Sequence, residues 1–406
     1  MAMRVPPVGS KPVRKQPLRL ASYSDDNDGN PESSNASNTC SMVDKREVCA
    51  QVLREGLVQS FVDLFYLIHR VDTIVTPEGQ EKKEPVAVSP TEMTFLRDNL
   101  TSAEKARRQG DVVHVYESYE RLAIHFMNLK DLRTGVFFYE KCLEIARISR
   151  NQDFELAALE NLGNAYYGLK EYARAQENHE LHVQLVKALR GAATTATAEL
   201  TTVYQQVALQ HETSGDFPLA IATHVKFIQC AQESQDIANV AVGQYRIGCC
   251  YNAMQQPTDA LVYLKDYLVM CKNMNDVPGE CQAYAALATT FEALGHKQQA
   301  MEYLKEYLIT AEKIENIPAQ AEACRRLGML YSANREFNLA TEMMERNFDL
   351  IKNSTKSDSS LLDQARISLG VIRAHEKFSA FVEFVTTDIE GFLQWKASRA
   401  IESKTS

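Results

Sequence analysis

The spacing of apolar residues divides the chain into stretches of different character. From Met1 to about Ser41 the sequence is rich in Pro, Ser, Asn and Asp, and it shows neither a helical nor a strand period. This predicts a disordered arm over residues 1–42. Between Arg46 and Val75, Val48, Val52, Leu57, Phe61, Leu64, Phe65 and Ile68 recur at steps close to three and four, which predicts an amphipathic helix within 43–76. A polar linker over 77–90, with Pro77, Pro85 and Pro90, ends it. Thr91 opens a further helix that runs to Arg108 and stops at Gly110-Asp111.

Beyond this point the hydrophobic pattern repeats. Tyr119-Glu-Arg-Leu122-Ala123-Ile-His-Phe126 matches Leu159-Glu-Asn-Leu162-Gly163-Asn-Ala-Tyr166, and then Tyr204-Gln-Gln-Val207-Ala208-Leu-Gln-His211. Gln244 to Tyr251, Tyr284 to Phe291 and Cys324 to Tyr331 continue the series. A small residue stands at 123, 163, 208, 248, 288 and 328, so the steps are 40, 45, 40, 40 and 40. Twelve positions later comes another: Gly135, Ala175, Ala220, Ala260, Ala300 and Ala340. Turn signals such as Ser214-Gly215-Asp216-Phe217 lie between the two. Small residues on two antiparallel helices let the backbones come close, while the aromatic residue beyond the first one fills the space beside the contact. Each unit is therefore a helix-turn-helix that must stack on its copies to bury its apolar face. The pattern places a capping helix and six repeats within 91–350. A degenerate seventh pair, Leu361 to Glu376 and Phe378 to Trp395, falls within 351–397, and a tail over 398–406 closes the chain.

Composition alters this picture in two respects. Hydrophobic residues make up 45% and charged ones 24% of 406 residues, ordinary values for a chain that buries a core. No stretch has the length and apolarity of a membrane span, and the start lacks the layout of a secretory signal, so a cytoplasmic protein with no membrane partner is expected. The nine cysteines are scattered without a CxxC pair, as suits reduced buried thiols. Net charge is −9, which disfavours nucleic-acid binding. Arg4, Lys11, Arg14, Lys15 and Arg19 stand among the first twenty residues with no acid, so the rest of the chain carries −9 minus 5, or −14. Such a basic arm suits contact with an acidic filament such as a tubulin surface.

Signals for catalysis are thin. The sequence contains no phosphate loop, dinucleotide fingerprint, HExxH or GxSxG motif, so neither an enzyme nor a cofactor nor a small-molecule substrate is expected. His179, His182, His211 and His224 could approach one another across neighbouring repeats, but their phases are those of Leu304, Tyr267 and Tyr307 in sister repeats. They are expected as hydrogen-bonded core residues, with no metal. Cys249-Cys250 should put one thiol in the core and one in the groove. Binding is the expected business. The first helix of each pair should line a concave surface that presents Asn161, Asn164, Tyr167, Gln205, Tyr245, Arg246, Asn252, Arg325 and Arg326 to an extended partner. Arginines there would attract acidic side chains, and Glu117 with Glu120 makes the opposite end of the groove acidic.

The repeat resembles the tetratricopeptide repeat in its long, 40-residue form, which implies an all-α right-handed superhelical solenoid behind the disordered arm. Outside the repeats, Val48-Cys49, Leu53-Arg54-Glu55-Gly56, Ser60-Phe61, Leu64-Phe65 and the closing Trp395-Lys396-Ala397-Ser398-Arg399 resemble the axonemal members of that family from motile cilia and sperm flagella. The resemblance spans roughly residues 46–402. It implies a non-catalytic scaffold of the axoneme whose partners are dynein-arm subunits or doublet-microtubule proteins. Asn161 to Tyr166 and Ser214 to Phe217 are also similar to spindle-orientation adaptors and, more distantly, kinesin light chains. The clamp of Lys and Asn by which chaperone-binding members hold a terminal carboxylate is not matched, because Glu160 stands where its first Lys belongs.

Overall fold

A computed structural model describes residues 36–75, 81–354 and 359–398. The five basic positions of the arm and the last residues of the tail lie outside them. The chain divides into two compact units after Arg97.

In the first unit the single helix expected over 43–76 forms as two, α1 (Ala36–Arg54) and α2 (Val58–Ile68). Gly56 causes the break: it takes φ 75°, and its N–H closes the end of α1 on the Leu53 carbonyl. Val52, Leu57, Leu64, Leu67 and Ile68 are buried as their spacing requires, whereas Phe65 is exposed. Part of the expected linker pairs instead as a hairpin, with β1 (Val71–Val75) antiparallel to β2 (Glu81–Pro85) and Val71 opposite Pro85. The following helix, α3 (Pro90–Gln109), begins in the first unit and ends in the second.

The second unit is a stack of antiparallel helix pairs: α4 (Val112–Asn128) with α5 (Leu132–Ser149), α6 (Gln152–Gly168) with α7 (Tyr172–Arg190), and α8 (Thr194–Ser214) with α9 (Phe217–Glu233). Then follow α10 (Ile237–Ala253) with α11 (Pro257–Met274), α12 (Val277–Ala293) with α13 (Lys297–Lys313), and α14 (Ile317–Ala333) with α15 (Phe337–Asn353). The small residues are the contact points: Ala123, Ala175, Ala208, Ala220, Ala260, Ala288, Ala300 and Ala340 are wholly buried. A Cβ on Gly248 would lie 2.6 Å from Leu264 Cγ, and one on Gly328 would lie 3.0 Å from Met344 Cγ.

Two backbone devices set the period. A residue in the left-handed region ends the first helix of each pair at Lys130, Lys170, Gly215, Gln255, Gly295 and Arg335; another ends the second at Arg150, Gly191, Gln235, Asn275 and Glu315. The next residue or two then opens a helix, often with a side-chain cap. Asp131, Asp216, Asp236, Asp276 and Asn316 each accept from the N–H three residues on. Asp236→Ala is expected to cost about 1 kcal/mol, read as a shift in the urea midpoint. Glu336→Ala should leave the midpoint where it is, because Glu336 makes no cap bond.

The chain end departs from the expected seventh pair. Residues Ser359–Thr387 form one helix, α16, and Ile389–Ser398 form α17. Nothing approaches within 4 Å of a Cβ on Gly370, so the contact that defines a pair is missing there. The reason is local: Glu376-Lys377-Phe378 offers neither a turn residue nor a cap, and the helix runs on until Asp388, which caps the Gly391 N–H at 2.9 Å. Its first half packs through Ala365, Leu369 and Ile372, and Arg373 pairs with Glu345 of α15 at 2.6 Å. Beyond Glu376 its residues are mostly exposed.

Candidate functional site

The first helices of the pairs carry the residues expected to bind a partner, and the structure sorts them into two groups. On α6 and α8, Asn164 is exposed, and Asn161 and Gln205 are half-buried. Tyr167 lies beside them with its ring edge-on to Tyr172, centroids 5.4 Å apart. This is an open polar face.

From α10 onward the corresponding positions are occupied by the protein's own contacts. Arg246 reaches back one repeat to Glu212 at 3.3 Å, and Arg326 does the same to Glu292 at 2.9 Å. Arg326 also donates to the Ala285 carbonyl at 3.3 Å and to Thr289 Oγ1 at 3.0 Å, and its side chain is only 11% exposed. Asn252 Nδ2 donates to Thr290 Oγ1 of the next repeat at 2.9 Å, while the Thr290 hydroxyl donates to the Ala286 carbonyl. Tyr245 packs its ring 5.0 Å from Tyr267. Arg246, Arg326 and Asn252 tie repeat to repeat, whereas Tyr245 and Tyr267 belong to the two helices of one repeat. Arg325 grips Glu322 on its own helix by two bonds, of 2.7 and 3.0 Å, and the bonded carboxylate raises its pKa. Arg325, Arg326, Glu292 and Glu322 line an open cleft of about 450 Å³ between α12 and α14. Its two arginines face two glutamates, so its charge is balanced and gives an acidic partner little to grip. The glutamates were the missed residues. Their signal was in the sequence: Glu212 precedes Arg246 by 34 positions, as Glu292 precedes Arg326.

The four histidines do not form one group. His224 is buried and shares a 2.6 Å hydrogen bond with Glu212, whose other oxygen takes Arg246. Cys250 lies near this pair; burial and then Glu212 push its thiol up to about 12, so it stays protonated. Cys249 beside it is half-buried. His211 is half-buried, off the core phase expected of it. His179 and His182 are 1% and 6% exposed, and the Nδ1 atom of each is buried without a hydrogen-bond partner. Burial, and then the neighbouring His182, pulls His179 down to about 4, so its ring is neutral near pH 7. Burial also lowers His182. Glu199, at the start of α8, completes this second group; burial and then Glu160 raise its pKa.

Among the described residues every cysteine is free, and no helix is long and apolar enough to cross a membrane. No family model matches the chain. Tetratricopeptide repeat protein 29 of Homo sapiens is 24% identical over 372 residues, covering 87% of this chain and 78% of the human protein. The protein of the same name from Trypanosoma brucei brucei is 24% identical over 358 residues, covering 86% of this chain and 73% of its own length. Among solved structures, a signal-transduction ATPase with a tetratricopeptide-repeat sensor from Pyrococcus horikoshii overlays 75% of this chain and 51% of its own at TM-score 0.45 and 16% identity. A Podospora kinesin light chain repeat array overlays 49% of this chain at TM-score 0.33 and 18% identity. The second unit is a stack of antiparallel helix pairs, and the sequence is similar along most of its length to tetratricopeptide repeat protein 29.

Proposed function

We propose that this protein is a non-catalytic scaffold of the motile ciliary and flagellar axoneme, associated with dynein arms and needed for beating. The observation that carries the reading is the extent of the similarity. The repeat unit accounts for 309 of 406 residues, about 76%, so a match over 87% of the chain extends into the unit before it. Repeats alone would not produce that, because the first unit has no repeat in it. The open polar face of Asn161, Asn164 and Gln205 suits an extended partner, whose backbone groups such amides can meet. The basic arm, with Arg4, Lys11, Arg14, Lys15 and Arg19, supplies a second contact for acidic tubulin tails.

Fractionation of ciliated cells tests this directly. The protein is expected in the detergent-resistant axoneme, and recovery in the soluble pool would instead favour a cargo or polarity adaptor. Joint replacement of Asn161, Asn164 and Gln205 by Ala should reduce axonemal retention at least roughly tenfold at unchanged thermal stability, the loss of about 1.4 kcal/mol from two or three amide contacts. Arg326→Glu is the wrong probe of the groove. It sets two carboxylates against each other in a half-buried contact, so it should unfold the repeat rather than release a partner.

A further inference from the structure

The geometry points to a metal site: His179, His182 and Glu199 hold one divalent transition-metal ion of the zinc class, which pins α7 to α8. His179 and His182 stand three apart on α7 and so share a face, and Glu199 meets them from the second turn of α8. One ligand atom from each of the three lies within 4.8 Å of the other two. Zinc bonds of about 2.0–2.1 Å place ligand atoms about 3.3 Å apart, so side-chain rotations that draw the three together complete the set.

The second observation is where the unsatisfied atoms fall. His179 Nδ1, His182 Nδ1 and Glu199 Oε2 are all buried without a hydrogen-bond partner, and all three belong to this one group. Orphaned polar atoms in such a setting destabilise the fold unless something takes them up. A cation with affinity for neutral imidazole and carboxylate satisfies all three at once. His179 Nδ1 and Glu199 Oε2 are already 3.8 Å apart. Glu160 of α6 acts electrostatically on both His182 and Glu199, which adds negative charge beside the site. Arg190 also acts on His182, but from an exposed position where it pairs with Asp153 at 3.8 Å. Glu199 is 37% exposed, which gives an ion a route in from solvent.

The next repeat is an internal control. Glu212, His224 and Cys250 have comparable spacing, and His224 Nδ1 is likewise without a partner, but there both oxygens of the glutamate are spent, on His224 and Arg246, and the third group is a thiol held protonated. The site has a structural purpose where it stands. The step between repeats is 45 residues here and 40 elsewhere, α8 has 21 residues against the 17 of most first helices, and the connection runs through Gly191 with no side-chain cap on α8. An ion shared by α7 and α8 fixes a junction that the regular turn chemistry does not.

The test uses the purified full-length chain and the metals alone. One zinc per chain should be retained through desalting, a chelator should lower the melting temperature, and ZnCl2 should restore it. CoCl2 should give the visible bands of a tetrahedral Co²⁺ site, which ZnCl2 should quench. His182→Ala should weaken zinc binding by at least roughly a hundredfold, beyond the ten- to hundredfold that loss of an outer partner brings. His224→Ala should leave it unchanged. Absence of Co²⁺ bands in the folded wild-type chain overturns the proposal whether or not the variants fold, and so does equal loss of binding in His224→Ala.

Discussion

Gly248→Val is expected to cost about 3 kcal/mol, the upper end of the range for overpacking a filled core, and to lower the urea midpoint without changing its slope. The reason is the contact at the centre of the repeat. A Cβ at 248 would sit 2.6 Å from Leu264 Cγ and 2.7 Å from Cδ2, and 3.5 Å from the Ala260 carbonyl oxygen. Leu264 is wholly buried and has nowhere to turn. A valine adds two further methyls to the same space. The chain contains its own control: Gly370 sits on a helix with nothing within 4 Å of its Cβ, so Gly370→Ala should gain roughly 0.5–1 kcal/mol from helix propensity alone. Opposite signs at the two glycines would establish that helix approach is what position 248 is for. A loss at Gly370 would mean that α16 packs there after all. In the Gly248→Val background, Leu264→Ala should recover part of the loss, because the two changes share one volume.

The same contact explains why the fold was so legible. Helix approach demands a small residue at a fixed phase, and six such residues at nearly constant steps leave little freedom in how the pairs are built. Burial then follows by phase, and the structure buries Leu122, Leu162, Val207, Ile247, Leu287 and Leu327 one place before each small residue. The turns were less legible. Lys130, Lys170, Gln255 and Arg335 hold left-handed conformations that nothing in their side chains announces. They are imposed by the two helices that must reverse around them. At the C-terminus the apolar pattern continued, while the turn and cap that would have folded it back were absent, and Ser359–Thr387 forms a single helix. Apolar spacing reports a face to be buried; it does not report whether the chain bends to bury it.

The binding surface was the least legible part, for an electrostatic reason. Phase places Arg246 and Arg326 on one face of the first helices. It could not say whether they point to a partner or to the protein. That depends on what stands six positions further round the same face in the preceding repeat. Where it is Glu212 or Glu292, the arginine closes back on its own chain. Where the sequence offers Ala286 instead of an arginine, Asn252 turns to Thr290. The first helices thus carry an internal polar ladder, and the freer surface is the part that lacks it, near Asn161, Asn164 and Gln205. The histidines show the same limit. One phase puts His179 and His224 in the core alike, but only His224 has a carboxylate at hydrogen-bonding distance.

Phe126→Ala is expected to have the largest effect of any single truncation, and the effect should be local. Phe126 is wholly buried at the end of α4, and its ring lies parallel to that of Phe138 on α5, 3° apart in plane with centroids 5.8 Å apart. Phe138 is wholly buried too, and meets Tyr119 at 6.1 Å. Removing one ring leaves a cavity against the other, at a cost of about 3–5 kcal/mol. In a globular domain such a loss is shared by the whole cooperative unit, but a stack of pairs bonds each repeat only to its neighbours. Hydrogen exchange should therefore quicken at the amides of α4 and α5 by roughly two to three and a half decades, at about 1.4 kcal/mol per decade. The amides of α12 to α15 should keep their wild-type rates. Uniform quickening along the chain would mean that the repeats unfold as one body, and that coupling between neighbours exceeds the stability of a single pair.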